Sequence, residues 1–432
     1  MIHDTRRKFL KTSAAIGLTV ASSSVGRAQA ANDQLNVGLI GCGRRSESYV
    51  GLLPGVRYVC DPDQEHLAKA AKEFGVPEAR AVTDLRRILD DKTVDAVFVA
   101  TPDHWHAPAA ILACDAGKHV YVEKPCSHNV REGRLLVEAA RRNNVVVQVG
   151  LQSRSGSFIG GAIQRVHEGI IGDVLMAKAW NVQHRKNIGH DQPSDPPPQV
   201  DYDMWVGPAQ WLPYQANRFH YNWHWWKNFG TGGSGGDGPH EIDYARWGLG
   251  VTTHPSRVVA LGGKYFFDDD RDFCDTQTAV FEYPDHDAVG SQRQLIYEQR
   301  LWSTNYPHNV DSGVEFYGTK GQMFLSKRGK LEILGERNRK IDSALVKPRP
   351  QPLGKHIQDF FDAIRTGRRP HADIEIGHLS ATIGHLANVA TELHRSLDFD
   401  PTTEQIVGDK EANARLSRRY REGGYWSIPK GV

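Results

Sequence analysis

Val37-Gly38-Leu39-Ile40-Gly41-Cys42-Gly43-Arg44-Arg45-Ser46 is the stretch that decides the fold. An apolar run ends in a glycine turn and leads into a polar stretch, the pattern of a strand that feeds a helix in a dinucleotide-binding βα unit. Gly41 permits the tight turn, Gly43 lets backbone N–H groups approach a pyrophosphate, and the helix start adds partial positive charge. Ser46 stands where the third glycine of the fingerprint belongs, so the decapeptide is not decisive alone. Asp61 completes it, 20 residues after Gly41 at the end of the next apolar run, where a carboxylate binds the adenine ribose hydroxyls. It would also repel a 2′-phosphate, which favours NAD over NADP, with Arg44 and Arg45 softening the preference. The rival reading of Asp61-Pro62-Asp63 is a turn or helix cap.

Outward from this stretch the chain alternates. Apolar runs at Leu35–Ile40, Val56–Cys60, Val94–Ala100, His119–Val122 and Val145–Val149 are separated by amphipathic stretches such as Gln64–Phe74 and Val130–Asn143. That alternation predicts a parallel sheet with helices on both faces. After a helical stretch at Phe158–Glu168 the rhythm changes to longer alternating strands, among them Val174–Val182, Thr276–Tyr283 and Gly313–Tyr317. These predict a large open, mainly antiparallel sheet. Helical periodicity returns at Leu353–Arg365 and Ile374–Ser396. The fold class is therefore α/β, with a dinucleotide-binding domain over residues 31–152 and a second α/β domain over 153–432 whose last helices cross back.

In a doubly wound sheet the ligand crevice opens at the carboxyl ends of the strands. Thr101-Pro102-Asp103-His104-Trp105-His106 closes the fourth strand and would border the cofactor, with His104 and His106 as helix caps or as functional groups. Glu123-Lys124-Pro125 closes the fifth, where a nicotinamide ring would lie. Gln152 and Arg154 follow the sixth and are candidates for nicotinamide and substrate. Farther on, a glycine-rich turn at Gly232–Gly236 leads into a helix whose start carries His240, a placement that disfavours the charged imidazole and suits a general base. Asn217-Arg218-Phe219-His220-Tyr221-Asn222-Trp223-His224 supplies flat aromatic faces and polar groups of the kind that hold sugars, with Arg218, His220, Trp223 and His224 as substrate candidates. His220, His224 and His240 lack a dependable carboxylate partner, so no metal site is expected.

Ten Trp and fourteen Tyr suit an aromatic-lined pocket, while a formal charge of +2 gives no footprint for nucleic acid. Thr5-Arg6-Arg7-Lys8-Phe9-Leu10-Lys11, the weakly apolar run Ala14–Val25 and Ala28-Gln29-Ala30 read as a twin-arginine signal over residues 1–30. A periplasmic or otherwise exported protein without stable membrane insertion is expected. Five cysteines without a C-x-x-C pair argue against a disulfide framework or a zinc ribbon.

Together the Gly41 turn, Asp61, the Thr101-Pro102 strand end, Glu123-Lys124-Pro125, the His240 helix and Gly318-Thr319-Lys320-Gly321 resemble the Gfo/Idh/MocA family, especially its exported, aromatic-rich members. The resemblance implies a Rossmann domain followed by an α/β domain whose open sheet mediates homo-oligomers. It implies that Lys124 touches the reacting hydroxyl and that His240 moves its proton. The family often places an Asp four residues before this His. Here that position is Gly236, and Asp237 beside it is the candidate helper. The expected activity is NAD(P)-dependent oxidation of a hydroxyl on a sugar, glycoside or cyclitol, with tightly bound NAD (NADP as the alternative). The rivals are an NAD-dependent glycoside-cleaving enzyme working by oxidation, elimination and reduction, and a non-catalytic sugar-binding protein on the same fold.

Overall fold

β1 (Val37–Ile40) is fully buried and lies between β2 (Val56–Cys60) and β4 (Ala96–Val99), paired in parallel with both. With β3 (Ala81–Val82), β5 (His119–Val122) and β6 (Val147–Val149) it forms a six-stranded parallel sheet of order β3-β2-β1-β4-β5-β6. The order reverses between β1 and β4, and that reversal opens the crevice at the strand ends. The computed structural model describes residues 35–284, 292–342, 346–349, 351–424, 426 and 429–431. The expected signal over residues 1–30 lies outside them.

The flanking helices form where the sequence caps them. Asp63 accepts from the backbone of Glu65 at 2.8 Å to start Gln64–Phe74, and Gly75, at φ 66°, ends it. Asn129 accepts from Glu132 N at 3.0 Å to start Val130–Arg142. Each such cap contributes about 1 kcal/mol. The helix expected after Gly43 does not form. Ser46–Tyr49 is a short 3₁₀ turn, because the Ser46 and Ser48 hydroxyls bond back to the carbonyls of Gly43 and Arg45, both at 2.8 Å, in competition with helical pairing. The crevice floor therefore offers local N–H groups and arginines in place of a long helix dipole.

The second sheet comprises β7 (Val174–Val182), β8 (Arg257–Gly263), β9 (Thr276–Tyr283), β10 (Arg293–Arg300), β11 (Ser312–Gly318), β12 (Gly321–Ser326), β13 (Lys330–Gly335), β14 (Lys340–Ile341), β15 (Leu397–Asp400) and β16 (Gln405–Ile406). Its order is β14-β13-β12-β11-β7-β10-β9-β8-β15-β16, and only the β7–β10 pair is parallel. Along β9 every second residue, Gln277, Ala279, Phe281 and Tyr283, is buried, the mark of a sheet covered on one face. Helices Ser157–His167, Pro239–Leu249 and Ile374–Leu393 supply that cover and share one apolar core with it.

Two features differ from the sequence reading or refine it. Gly232–Gly236, a glycine-rich turn in the sequence reading, is one helical turn. Glycines on both sides of its contacts are needed for close packing: a Cβ on Gly233 would lie 2.2 Å from Gln299 Oε1, and one on Gly384 of the Ile374–Leu393 helix would lie 2.6 Å from Ser234 O. The Leu353–Thr366 helix crosses back to the first sheet, packing Ile357, Phe360 and Phe361 against Leu39, Phe98 and Tyr121. Leu35–Val432 consequently forms one compact unit. All five cysteines are free and buried. Among the described residues no helix is long and apolar enough to cross a membrane.

Buried histidines set the acid limit of this core. Burial holds His104 and His385 down to about 3, so both stay neutral when folded, whereas in the unfolded chain they take up protons below about 6.5. Their contribution is complete above that value and falls as pH drops towards 3, by about 1.4 kcal/mol per pH unit for each. Urea unfolding between pH 7.5 and 4.5 should show stability falling steeply below pH 6.5, and less steeply in His385→Gln. A flat profile would contradict neutral burial.

Candidate active site

The crevice at the carboxyl ends of β1, β2, β4 and β5 opens into a cleft of about 710 Å³. Gly41, Gly43, Arg44 and Asp61 line its floor, and Thr101, Pro102, His106, Glu123, Lys124 and Gln152 line its wall. These ten of the residues the sequence places at the cofactor line the cleft, whereas His104 does not. Gly41 is required there. It sits at φ 90°, and a Cβ would come within 2.6 Å of the Ala100 backbone. Above Gly43 the space is open, with only His66 Cε1 at 3.9 Å. Asp61 is buried and accepts from Cys42 N at 2.7 Å and Asp63 N at 2.9 Å, which fixes both its oxygens in the turn. Burial raises its carboxyl. The Thr101 hydroxyl lines the cleft buried and without a partner among the described residues. A glycine turn, an anchored carboxylate and an unpaired hydroxyl in a volume of this size fit a dinucleotide.

Glu123 faces the cleft wall, yet its carboxylate is already engaged. Arg45 donates to it at 2.7 and 2.8 Å and the Tyr49 hydroxyl at 2.7 Å. Burial pushes this carboxyl up, but Arg45 and Tyr49 outweigh that and hold it below its ordinary range. Glu123 thus builds the wall, and Arg45 is unavailable to a 2′-phosphate while Arg44 is exposed. His106 spans Pro125 O at 2.6 Å and Thr101 O at 2.8 Å, tying the ends of β4 and β5 together. His104 bonds to carbonyls of Phe229 and Trp205 away from the chemistry. Gln152 donates to the Tyr121 hydroxyl at 3.0 Å.

Lys124 Nζ donates to Gly236 O at 2.6 Å, at the end of the one-turn helix that precedes His240. His240 is the second residue of its helix and lines the cleft. Burial, then the positive charges of Lys327 and Lys124, push its imidazole well below the usual histidine range, and its Nδ1 has no partner among the described residues. Asp237 does not line the cleft. Burial pushes its carboxyl up, but Arg185, which donates to it at 2.9 and 3.1 Å, and then Lys124 hold it below its ordinary range.

The substrate candidates divide. Trp223 and His224 line the cleft with rings stacked at 3.6 Å, and His224 Nδ1 is 2.6 Å from Tyr221 O. Arg154 does not line it, because its guanidinium is spent on Asp243 at 2.8 and 3.0 Å and lies over Trp247. Arg218 is likewise turned inward, to Pro213 O at 2.7 Å, to Gln215 and onto the Trp226 ring. His220 lines the cleft at the Asp61 end, where its Nε2 donates to Asp63 Oδ2 at 2.7 Å. It is grouped with Asp63 and His66, not with His224 and His240. Sequence reasoning passed over His66, Asp103, Met204, Trp205 and Gln351, which also line the cleft, as does Tyr221 of the aromatic run. Asp103 stood inside the quoted Thr101–His106 run, so a signal was present for it.

Residues 35–151 match the model for the oxidoreductase family with an NAD-binding Rossmann fold, and residues 177–427 match the model for its C-terminal alpha/beta domain. The chain belongs to the Gfo/Idh/MocA oxidoreductase family. Its Rossmann unit is an NAD-binding one. A levoglucosan dehydrogenase from Pseudarthrobacter phenanthrenivorans is 33% identical over 162 residues, 34% of this chain and 41% of that protein. A glycosyl hydrolase family 109 protein from Saccharopolyspora erythraea is 33% identical over 205 residues, 40% of this chain and 44% of that protein. These matches span less than half of each relative. A solved levoglucosan dehydrogenase in complex with NADH and levoglucosan superposes with a TM-score of 0.64 at 23% identity, over 84% of this chain and 98% of that one.

In this family member Asp61 should set the cofactor preference. If Asp61 takes that role, Asp61→Ala would remove both the expected ribose contact and the repulsion of a 2′-phosphate. Fluorescence titration should show NADH binding weakened about tenfold or more, with NADPH changed less. Tighter NADPH than NADH binding by the unmodified chain would contradict the assignment.

Proposed function

We propose that this protein oxidises a secondary hydroxyl of a sugar, glycoside or cyclitol at the cleft, with NAD as the cofactor. The observation that carries the proposal is the convergence of Lys124 and His240 at the cleft wall, one from the end of β5 and one from a helix start, with an ammonium beside an imidazole that burial keeps neutral. When bound, the nicotinamide ring supplies the hydride acceptor. Lys124 stabilises the oxygen as it gains negative charge, and a neutral His240 receives the hydroxyl proton. Asp237, held by Arg185, keeps a negative charge behind Lys124 without entering the cleft. Trp223 and His224 offer stacked faces for the apolar side of a sugar ring.

A second reading has support from the glycosyl hydrolase family 109 relative. The same proton transfer at His240 would begin an oxidation, elimination and reduction sequence that cleaves a glycoside with no net change in cofactor. The two are separated by their products from a panel of sugars and glycosides. Oxidation yields a ketone two mass units lighter, whereas cleavage releases free sugar. Export by the twin-arginine route belongs to the same proposal, as does self-association through the open sheet, whose outer face exposes Val259 and Leu261 at 45% and 72%.

Lys124→Ala should lower kcat about 10²–10³-fold, the scale of losing one donor to a developing oxyanion, with NADH affinity nearly unchanged. Parallel loss of NADH binding would make Lys124 structural. Because burial depresses His240, the acid limb of kcat/KM should fall with a midpoint below 6.5, measured on the unmodified enzyme and absent in His240→Ala. A midpoint at or above 7 would remove His240 as the base.

A further inference from the structure

Asp63 and His66 stand three residues apart at the start of the Gln64–Phe74 helix, a spacing that puts both side chains on one side of its first turn. Asp63 Oδ1 is spent on capping that helix, 2.8 Å from Glu65 N. Its Oδ2 accepts from His220 Nε2 at 2.7 Å, across 157 residues of chain. On sequence alone His220 lacks a carboxylate partner, and the fold supplies one because the central segment pairs with this turn: Val200 bridges Asp63, and Asp201 N donates to Pro62 O at 2.9 Å. The His66 ring stands 4.4 Å from that of His220. Its Nδ1 is 3.9 Å from Asp61 Oδ1, too far for a hydrogen bond. One carboxylate oxygen and one nitrogen from each ring thus lie within 4.8 Å of one another. The Asp63 side chain is 4% exposed, whereas those of His66 and His220 are 31% and 30% exposed and line the cleft, within reach of solvent.

A second group of the same composition shows what a closed, structural set looks like. His254 and His378 both bond to Glu404, at 2.9 and 3.0 Å, with their rings buried, and Arg134 pairs with the same carboxylate. The guanidinium there already supplies the compensating charge and would repel a metal ion. Asp63 has no such partner: among the described residues no arginine or lysine pairs with it, and its only ion-pair contact is His220. Two imidazoles and an anchored carboxylate, with the Asp61 carboxylate beside them, are the donor set of a borderline divalent cation that keeps one position open. We propose that Asp63, His66 and His220 bind a divalent cation of the zinc type at the Asp61 end of the cleft. Ligand atoms about 2.0–2.1 Å from a tetrahedral ion lie about 3.3 Å from one another, so closing the set needs a shift of about 1.5 Å or less in two part-exposed rings. The ion takes the place of the proton between His220 and Asp63, and the His220 imidazole then carries its proton on Nδ1, with no change in its charge. Water from the cleft fills the fourth position.

The test is equilibrium dialysis of the full chain, stripped with a chelator, against Zn2+ alone. Dinucleotide is left out, so the outcome does not depend on the reading of the cleft as an NAD site. The unmodified chain should bind one equivalent of zinc with micromolar affinity or tighter. His66→Ala, His220→Ala and Asp63→Asn should each weaken that binding about tenfold or more. His190→Ala removes a different histidine, one beside the surface carboxylates of Asp268 and Asp270, and should leave it unchanged. Co2+ alone should give the visible absorption of a four-coordinate ion with nitrogen and oxygen ligands, lost in His66→Ala. Absence of zinc binding by the unmodified chain overturns the site, as does unchanged affinity in His66→Ala. A thiolate-to-cobalt charge-transfer band overturns it too, because the ion would then sit on one of the five cysteines. Where His220→Ala or Asp63→Asn does not fold, His66→Ala decides the question, since that ring is part-exposed and holds no bond to the Asp63 carboxylate.

Discussion

One buried carboxylate organises the catalytic wall. Glu123 is only 5% exposed, and it is held by Arg45 and Tyr49 from the segment after β1, 78 and 74 residues away in sequence. Gly150, at the end of β6, packs so closely that a Cβ there would meet Glu123 Oε2 at 2.7 Å. A charge taken this far out of water is tolerated only when paired, and removing one partner of such a pair costs about 3–5 kcal/mol. The pairing therefore locks the turn after β1 and the ends of β5 and β6 into one arrangement. Lys124 is the next residue, and its direction into the cleft follows from that lock.

The second half of the chain meets this wall through Lys124 itself. Its bond to Gly236 O joins the end of β5 to the one-turn helix Gly232–Gly236, and the His240 helix starts three residues later. Close packing of that glycine turn against Gln299 and the Ile374–Leu393 helix fixes where His240 stands. The ammonium and the imidazole are thus set by two independent packing constraints that meet at a single hydrogen bond. Proximity to Lys327 and Lys124 adds to burial in keeping His240 neutral, which is the state a proton acceptor needs.

Much of this was legible before the fold was seen, because buried parallel strands read as apolar runs and their ends mark the crevice. The ranges of β2, β5, β7 and β9 and of the Gln64–Phe74 helix stand as the periodicity gave them. The cofactor candidates from Gly41 to Gln152, His104 apart, reach the cleft for the same reason. What failed was the assignment of long polar side chains by proximity in sequence. Arg154 and Arg218 follow promising motifs, but Asp243 and the Trp226 ring consume them, and such partners are set by tertiary packing. The sequence places His220 in an aromatic sugar platform. Its true neighbour, Asp63, lies 157 residues earlier. The missing helix after Gly43 has a local cause, since serine hydroxyls at 46 and 48 bond back to the chain.

The central claim is that the strand end at Lys124 and the helix start at His240 face one reacting carbon, and a crystal structure of the complex with NADH and an unreactive sugar analogue tests it most directly. The account predicts the nicotinamide ring at the ends of β4 and β5, with a ring hydroxyl of the analogue within hydrogen-bond distance of both Lys124 Nζ and the His240 imidazole. A nicotinamide ring placed away from Lys124, or an analogue hydroxyl bound by Trp223 and His224 without contact to His240, would contradict it.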